Sequence, residues 1–254
     1  MKASILGIAA AGLLVVSTAH AGGGDPSIRR TTYLQSQGKE GIGSQYREDL
    51  AVAGKAIHVD NDLPRARTIL LRIAAFCEAL ARPGMRLVAA QDDAQYERFI
   101  ADHPTGEPTQ FVDMTCADAF KNLAFIDIET GDRDAAMRRL DQSIALAPAW
   151  ADPHAEKGFL LGQLGRHEDA LAEYRTALAL ADGSSLGDGF KALAWRGTGY
   201  MLIELQRWDE ARAAYDRSLE LEPGNALAKE ELEFIAKSAP IPEAQATTEP
   251  VPGE

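Results

Sequence analysis

A set of small and large residues recurs along this chain at a fixed interval. Ala124, Gly131, Ala136, Leu140 and Leu146 come back 34 residues later as Gly158, Gly165, Ala170, Tyr174 and Leu180. They come back again, 41 residues further on, as Gly199, Gln206, Ala211, Tyr215 and Leu221. A period of about 34 residues built from two helices is the mark of a stacked repeat. One such unit cannot bury its apolar face alone, so successive units must pack on each other. Stacking of that kind produces a curved surface for binding rather than a pocket for catalysis.

The spacing predicts three helix pairs, near 117–130 and 133–147, 152–164 and 167–181, and 190–205 and 208–221. The third pair arrives seven residues late because a Gly, Ser and Asp-rich loop occupies 182–189. Pro223-Gly224-Asn225 opens a last helix to about Lys237. Its Lys229, Glu230 and Glu233 give the polar outer face a terminal layer needs, while Leu227, Leu232 and Ile235 are expected to pack inward. The recurring residues have physical roles. Ala124, Gly158 and Gly199 on the first helices, and Ala136, Ala170 and Ala211 on the second, are small sites that let two helices approach closely. Phe120 and Trp195 on the first helices, and Leu140, Tyr174 and Tyr215 on the second, are bulky partners that lock the contact. Gly131 and Gly165 fall at the turns, where a positive φ ends a helix at little cost. Asp134, Glu168 and Asp209 fall in the first turn of the following helix, where the helix dipole favours negative charge.

The pattern resembles the tetratricopeptide repeat family. In the third unit the resemblance rests on Trp195, Gly199, Ala211, Tyr215 and Pro223. In the second it rests on Gly158, Leu161, Gly165, Ala170, Tyr174 and Ala177. The first unit offers Phe120, Leu123, Ala136, Leu140 and Pro148, with Asp127 where the family usually has an aromatic residue. Gln206 replaces the glycine of the third turn, and Asp182 the proline that closes the second unit. The resemblance covers about 120 of the 254 residues. It implies a mostly α fold, a solenoid of three helix pairs plus a capping helix over 116–238, and partner binding through a groove lined by the first helix of each pair.

The rest of the chain reads in pieces. Residues 1–21 look like a secretory leader: Lys2 is the positive start, 5–16 is an apolar run, and Ala19-His20-Ala21 is a small-residue cleavage pattern. A run of that length is too short to span a bilayer. Cleavage after Ala21 sends the chain to an exported location, the periplasm in a bacterium; the alternative is an uncleaved anchor. Residues 22–43 form a glycine-rich arm, and 239–254, with prolines and glutamates, a disordered tail. Between them, 44–115 holds an irregular leading segment. A helix is expected over about 45–58, and a second opens at Asp62-Leu63-Pro64 with Ile69, Leu70, Ile73, Phe76, Cys77 and Leu80 on one face. Strand-like runs at 85–90 and 110–114 flank a helical stretch at 92–102, so a small β-α-β insertion is expected there.

The formal net charge is -12, which disfavours nucleic acid and anionic membrane surfaces as partners. Cys77 and Cys116 are the only two cysteines. In an oxidising compartment they can pair, closing a loop worth about 4 kcal/mol in the chain-entropy model; otherwise they are buried thiols. No metal-ligand spacing, phosphate-binding glycine loop or nucleophile elbow is present, so no metal or cofactor is expected and the chain is read as not an enzyme. The alternative is a small ligand-binding or catalytic α/β module at 45–115, where Cys116 lies near His103 and Asp113 in sequence. The candidate partner-binding stripe is Phe125, Phe159 and Tyr200, spaced 34 and 41 apart. Four residues before stand Lys121, Ala155 and Arg196; four after stand Glu129, Gln163 and Glu204. Offsets of four share a helix face, so the stripe has an aromatic centre, a basic edge and an acid or amide edge. Such a face suits a protein or peptide segment anchored on aromatics; the competing role for the same rings is packing between repeats.

Overall fold

The computed structural model describes residues 41–90, 93–102, 108–182 and 187–239. The expected leader, the arm up to residue 40, His103 and the tail beyond Ala239 lie outside the described residues. Contacts within the chain divide it after Trp150 into two units. The first helix pair of the repeat pattern therefore groups with the leading segment, and the other two pairs and the last helix make the second unit. No helix among the described residues is long and apolar enough to cross a membrane.

In the first unit a short 3-10 turn, Ser44–Tyr46, leads into α1 (Arg47–His58), followed by α2 (Leu63–Ala79). Asp62 caps α2 by accepting from the Arg65 amide at 3.1 Å, and Pro64 sits in the first turn, where its missing N–H costs nothing. Strand β1 (Arg86–Ala89), helix α3 (Asp93–Asp102) and strand β2 (Thr109–Val112) come next, and the two strands pair in parallel with Arg86 opposite Thr109. The expected β-α-β insertion thus takes the form of a two-stranded parallel ribbon. Tyr96 of α3 packs on it, its ring 5.3 Å from that of Phe111. Helices α4 (Met114–Glu129) and α5 (Arg133–Leu146) complete the unit.

The core of this unit lies between α2 and α4, where Leu70, Ile73, Phe120 and Leu123 are fully buried. Cys77 of α2 and Cys116 of α4 are joined by a disulfide across that core. Asp127, the departure from the aromatic pattern, is buried on α4 and ion-paired at 2.7 Å with Arg67 of α2. An aromatic there would fill a gap between repeats; the carboxylate instead ties α4 to the leading helices. Breaking such a buried pair is costly, because the carboxylate stays behind without its counter-charge.

The second unit contains α6 (Ala151–Gln163), α7 (His167–Ala181), α8 (Asp188–Glu204), α9 (Trp208–Leu221) and α10 (Ala226–Ser238). Its packing follows the small-to-large pattern. A methyl group on Gly158 would lie 3.0 Å from the Tyr174 ring, and one on Gly199 2.6 Å from the Tyr215 ring. The glycines of the first helices are therefore seats for the tyrosines of the second. Gly197 is a further seat: a methyl there would come within 2.3 Å of Tyr174, which joins α8 to α7 across the repeat boundary.

The turns inside the three pairs are alike. Asp132, Arg166 and Arg207 donate their amides to the carbonyls of Asp127, Leu161 and Leu202, at 2.8, 2.9 and 2.8 Å. The residue before each donor has positive φ: 84° at Gly131, 72° at Gly165 and 58° at Gln206. Glutamine thus adopts the glycine conformation at the third turn, and the substitution leaves the helix-ending geometry intact.

Candidate functional site

On α6, Phe159 and Gln163 stand four residues apart; on α8, Arg196 and Tyr200 do the same, which puts each pair on one helix face. The structure brings all four to one groove of about 710 Å³ in the second unit. Leu227 and Glu231, four apart on α10, also line it, as do Tyr174, Met201 and Tyr215. The floor exists because of missing side chains: a methyl on Gly162 would sit 2.8 Å from the Met201 terminal carbon, and Gly197 is held clear by Tyr174. Phe159 and Tyr200 keep 47% and 48% of their surface in solvent, and Leu193 and Leu227 keep 50% and 55%. These are large apolar side chains left uncovered on a wall that is otherwise packed.

The electrostatics of the groove are uneven. Arg196 donates to the Glu222 carboxylate at 2.6 Å and to the Ser218 hydroxyl at 3.2 Å, so its charge is matched within the wall. The Tyr200 hydroxyl is held above its ordinary pKa, first by the charge of Glu204 and then by burial and a hydrogen bond with Glu204. The Glu231 carboxyl is raised above the usual range by burial and then by Glu230 beside it. Among the described residues Glu231 has no ion-pair partner.

Of the remaining candidates, Lys121, Phe125 and Glu129 belong to the first unit and Glu204 to the second. The Phe125 ring is half-buried on that unit's core, 5.8 Å from the His58 ring of α1. The Lys121 ammonium stands 5.4 Å from the Trp150 ring centroid and 3.8 Å from the Asp118 carboxylate. Glu129 is exposed at the end of α4. Glu204 lies one turn beyond Tyr200 and 3.9 Å from His167.

Two expectations are corrected. Leu227 does not pack inward as Ile235 does, because its helix turns that position toward the groove. Cys116 offers no nucleophile: its sulfur is bonded to Cys77, and nearby Asp113 pairs with Arg47 and caps α4 through Thr115. Sequence reasoning missed Leu227 and Glu231 as groove residues. Their spacing of four was visible, but nothing local said which side of α10 would face the repeats.

Tetratricopeptide repeat models match residues 192–225 and 151–183. The chain therefore carries tetratricopeptide repeats, and both matched segments lie in the unit that holds the groove. Among solved structures, MamA (residues 41 to the end) from Desulfovibrio magneticus RS-1 is similar at 13% identity with a TM-score of 0.52, covering 77% of this chain and 86% of that one. The Sgt2 tetratricopeptide domain of Aspergillus fumigatus is similar at 20% identity and a TM-score of 0.44, covering 54% and 87%. The second such domain of human RPAP3, solved with an HSP70 peptide, is similar at 26% identity and a TM-score of 0.42, covering 47% and 93%. No curated protein sequence matches the chain.

Proposed function

We propose that this protein is an exported, non-catalytic binding or assembly protein of the cell envelope, and that the groove of its second unit holds a protein or peptide segment. The observation that carries the reading is the pair Phe159 and Tyr200, two rings half in solvent on adjacent first helices over one groove. Aromatic anchors of this kind supply most of the binding energy where a partner covers them. The tetratricopeptide repeats over 151–183 and 192–225 support the same reading. Export is supported by the leader-like run of residues 1–21 and by the Cys77–Cys116 bridge, since disulfides persist in oxidising compartments. Cell fractionation with sequencing of the mature N-terminus tests export: a chain beginning at Gly22 outside the cytoplasm is expected, and a full-length cytoplasmic chain overturns it.

Partner capture tests the groove. Envelope extract passed over the wild type and over a Phe159→Ala, Tyr200→Ala double variant should leave a partner on the first that is missing from the second. Identical partner sets on both proteins would remove the groove from the function.

A further inference from the structure

We propose that the groove of the second unit selects a basic, apolar-anchored peptide: hydrophobic side chains seated on Phe159, Leu193 and Tyr200, with a lysine or arginine drawn to the Glu231 side. The proposal rests on the peptide-binding reading above and adds the polarity of the ligand.

The charges of the groove set that polarity. Three carboxylates line it, and of these Asp152 and Glu156 already have partners within the chain, which leaves that of Glu231; the guanidinium among the lining residues is that of Arg196. That guanidinium is already engaged by Glu222 and Ser218. Glu231 stands one helical turn from exposed Leu227, so a segment lying on Leu227 passes the carboxylate. Partial burial raises its carboxyl, and among the described residues no cation pairs with it. A ligand ammonium or guanidinium restores what that burial removes, in a setting where the attraction is less screened than on open surface. Glu204 and Glu231 both act on the Tyr200 hydroxyl, so the field around that ring is negative.

The same charges argue against other occupants. Residues 240–254 of this chain contain Glu243, Glu249 and Glu254 and neither lysine nor arginine, so they would bring like charge to the carboxylates. A second copy brings a formal charge of -12 against the same sign. A cationic segment alone gains from both the rings and the field around them.

Fluorescence anisotropy of the full chain with short labelled peptides tests this. The peptides share one pattern of Leu and Phe anchors and differ only in their intervening residues: Lys and Arg, Ser, or Asp and Glu. A fourth peptide is residues 240–254. The basic peptide is expected to bind at least about tenfold tighter than the acidic one, with the gap closing as salt rises. Glu231→Gln should weaken the basic peptide by about fivefold and leave the Ser peptide unchanged. Phe159→Ala with Tyr200→Ala should weaken the basic and Ser peptides alike. Equal binding of basic, Ser and acidic peptides that the double variant abolishes overturns the polarity and keeps the groove. Basic-peptide binding that survives the double variant overturns the groove itself. Tighter binding of 240–254 than of the basic peptide assigns the groove to the chain's own terminus and overturns the proposal.

Discussion

Single residues of this chain act through the space they leave. Gly197 is occupied from outside: the Tyr174 ring fills the volume a side chain would need. Gly197→Ala must displace a buried ring, which should cost about 1–3 kcal/mol. Gly54 makes the contrast. It lies inside α1 with nothing within 4 Å of an added methyl, so Gly54→Ala should stabilise by roughly 0.5–1 kcal/mol, the usual gain from removing a helical glycine. Urea midpoints for the two variants check both signs together, and a destabilised Gly54→Ala or a neutral Gly197→Ala would contradict the packing described. Which glycines recur was legible in the sequence for Gly158 and Gly199, because they repeat in register. That Gly197 seats the same tyrosine from the neighbouring pair follows only from how α8 lies on α7.

At the scale of elements, caps and ion pairs tie helices that are distant in sequence. Asp113 ends β2's approach to α4, caps that helix through the Thr115 amide at 3.0 Å and accepts from Arg47 of α1 at 3.0 Å. Burial pushes its carboxyl upward, but the hydrogen bonds from Arg47 and Thr115 outweigh burial and hold it below its ordinary value of 3.8. A carboxyl depressed in the folded state adds stability above its unfolded pKa, and that stability is lost as pH falls through the folded value. Wild-type stability should therefore fall below about pH 4, and Asp113→Asn should flatten that acid limb while costing about 1 kcal/mol at pH 6, a modest figure because Arg47 is half in solvent. Urea unfolding at pH 6 and pH 3 measures both. An acid limb of unchanged depth in the variant would mean that Asp113 is not the group responsible. The helix pairs and their turns were readable from period and residue type. The partner of Asp127 was not, since Arg67 stands far upstream and no spacing rule links the two.

At the scale of the whole molecule, the bridge sits in one unit and the groove in the other. Reduction removes a constraint on a loop with a sequence separation of 39, worth about 4 kcal/mol in the chain-entropy model. Hydrogen exchange of the full chain with and without reductant should show faster exchange in α1, α2 and α4, with α7, α8 and α9 nearly unchanged. Equal loss in both halves would show that the bridge supports more than its own unit. The sequence by itself determined the repeat, the helix pairs, the two glycine turns and the small-to-large code, because each is a local consequence of 3.6-residue periodicity and of what a turn or a helix contact can accept. Only the tertiary structure decided which aromatics share a groove. It placed Phe125 on the first unit's core beside His58, and brought Leu227 and Glu231 into one groove with Phe159 and Tyr200. Periodicity fixes which residues share a helix face, but not which other helix that face will meet; that depends on the packing register of residues far apart along the chain.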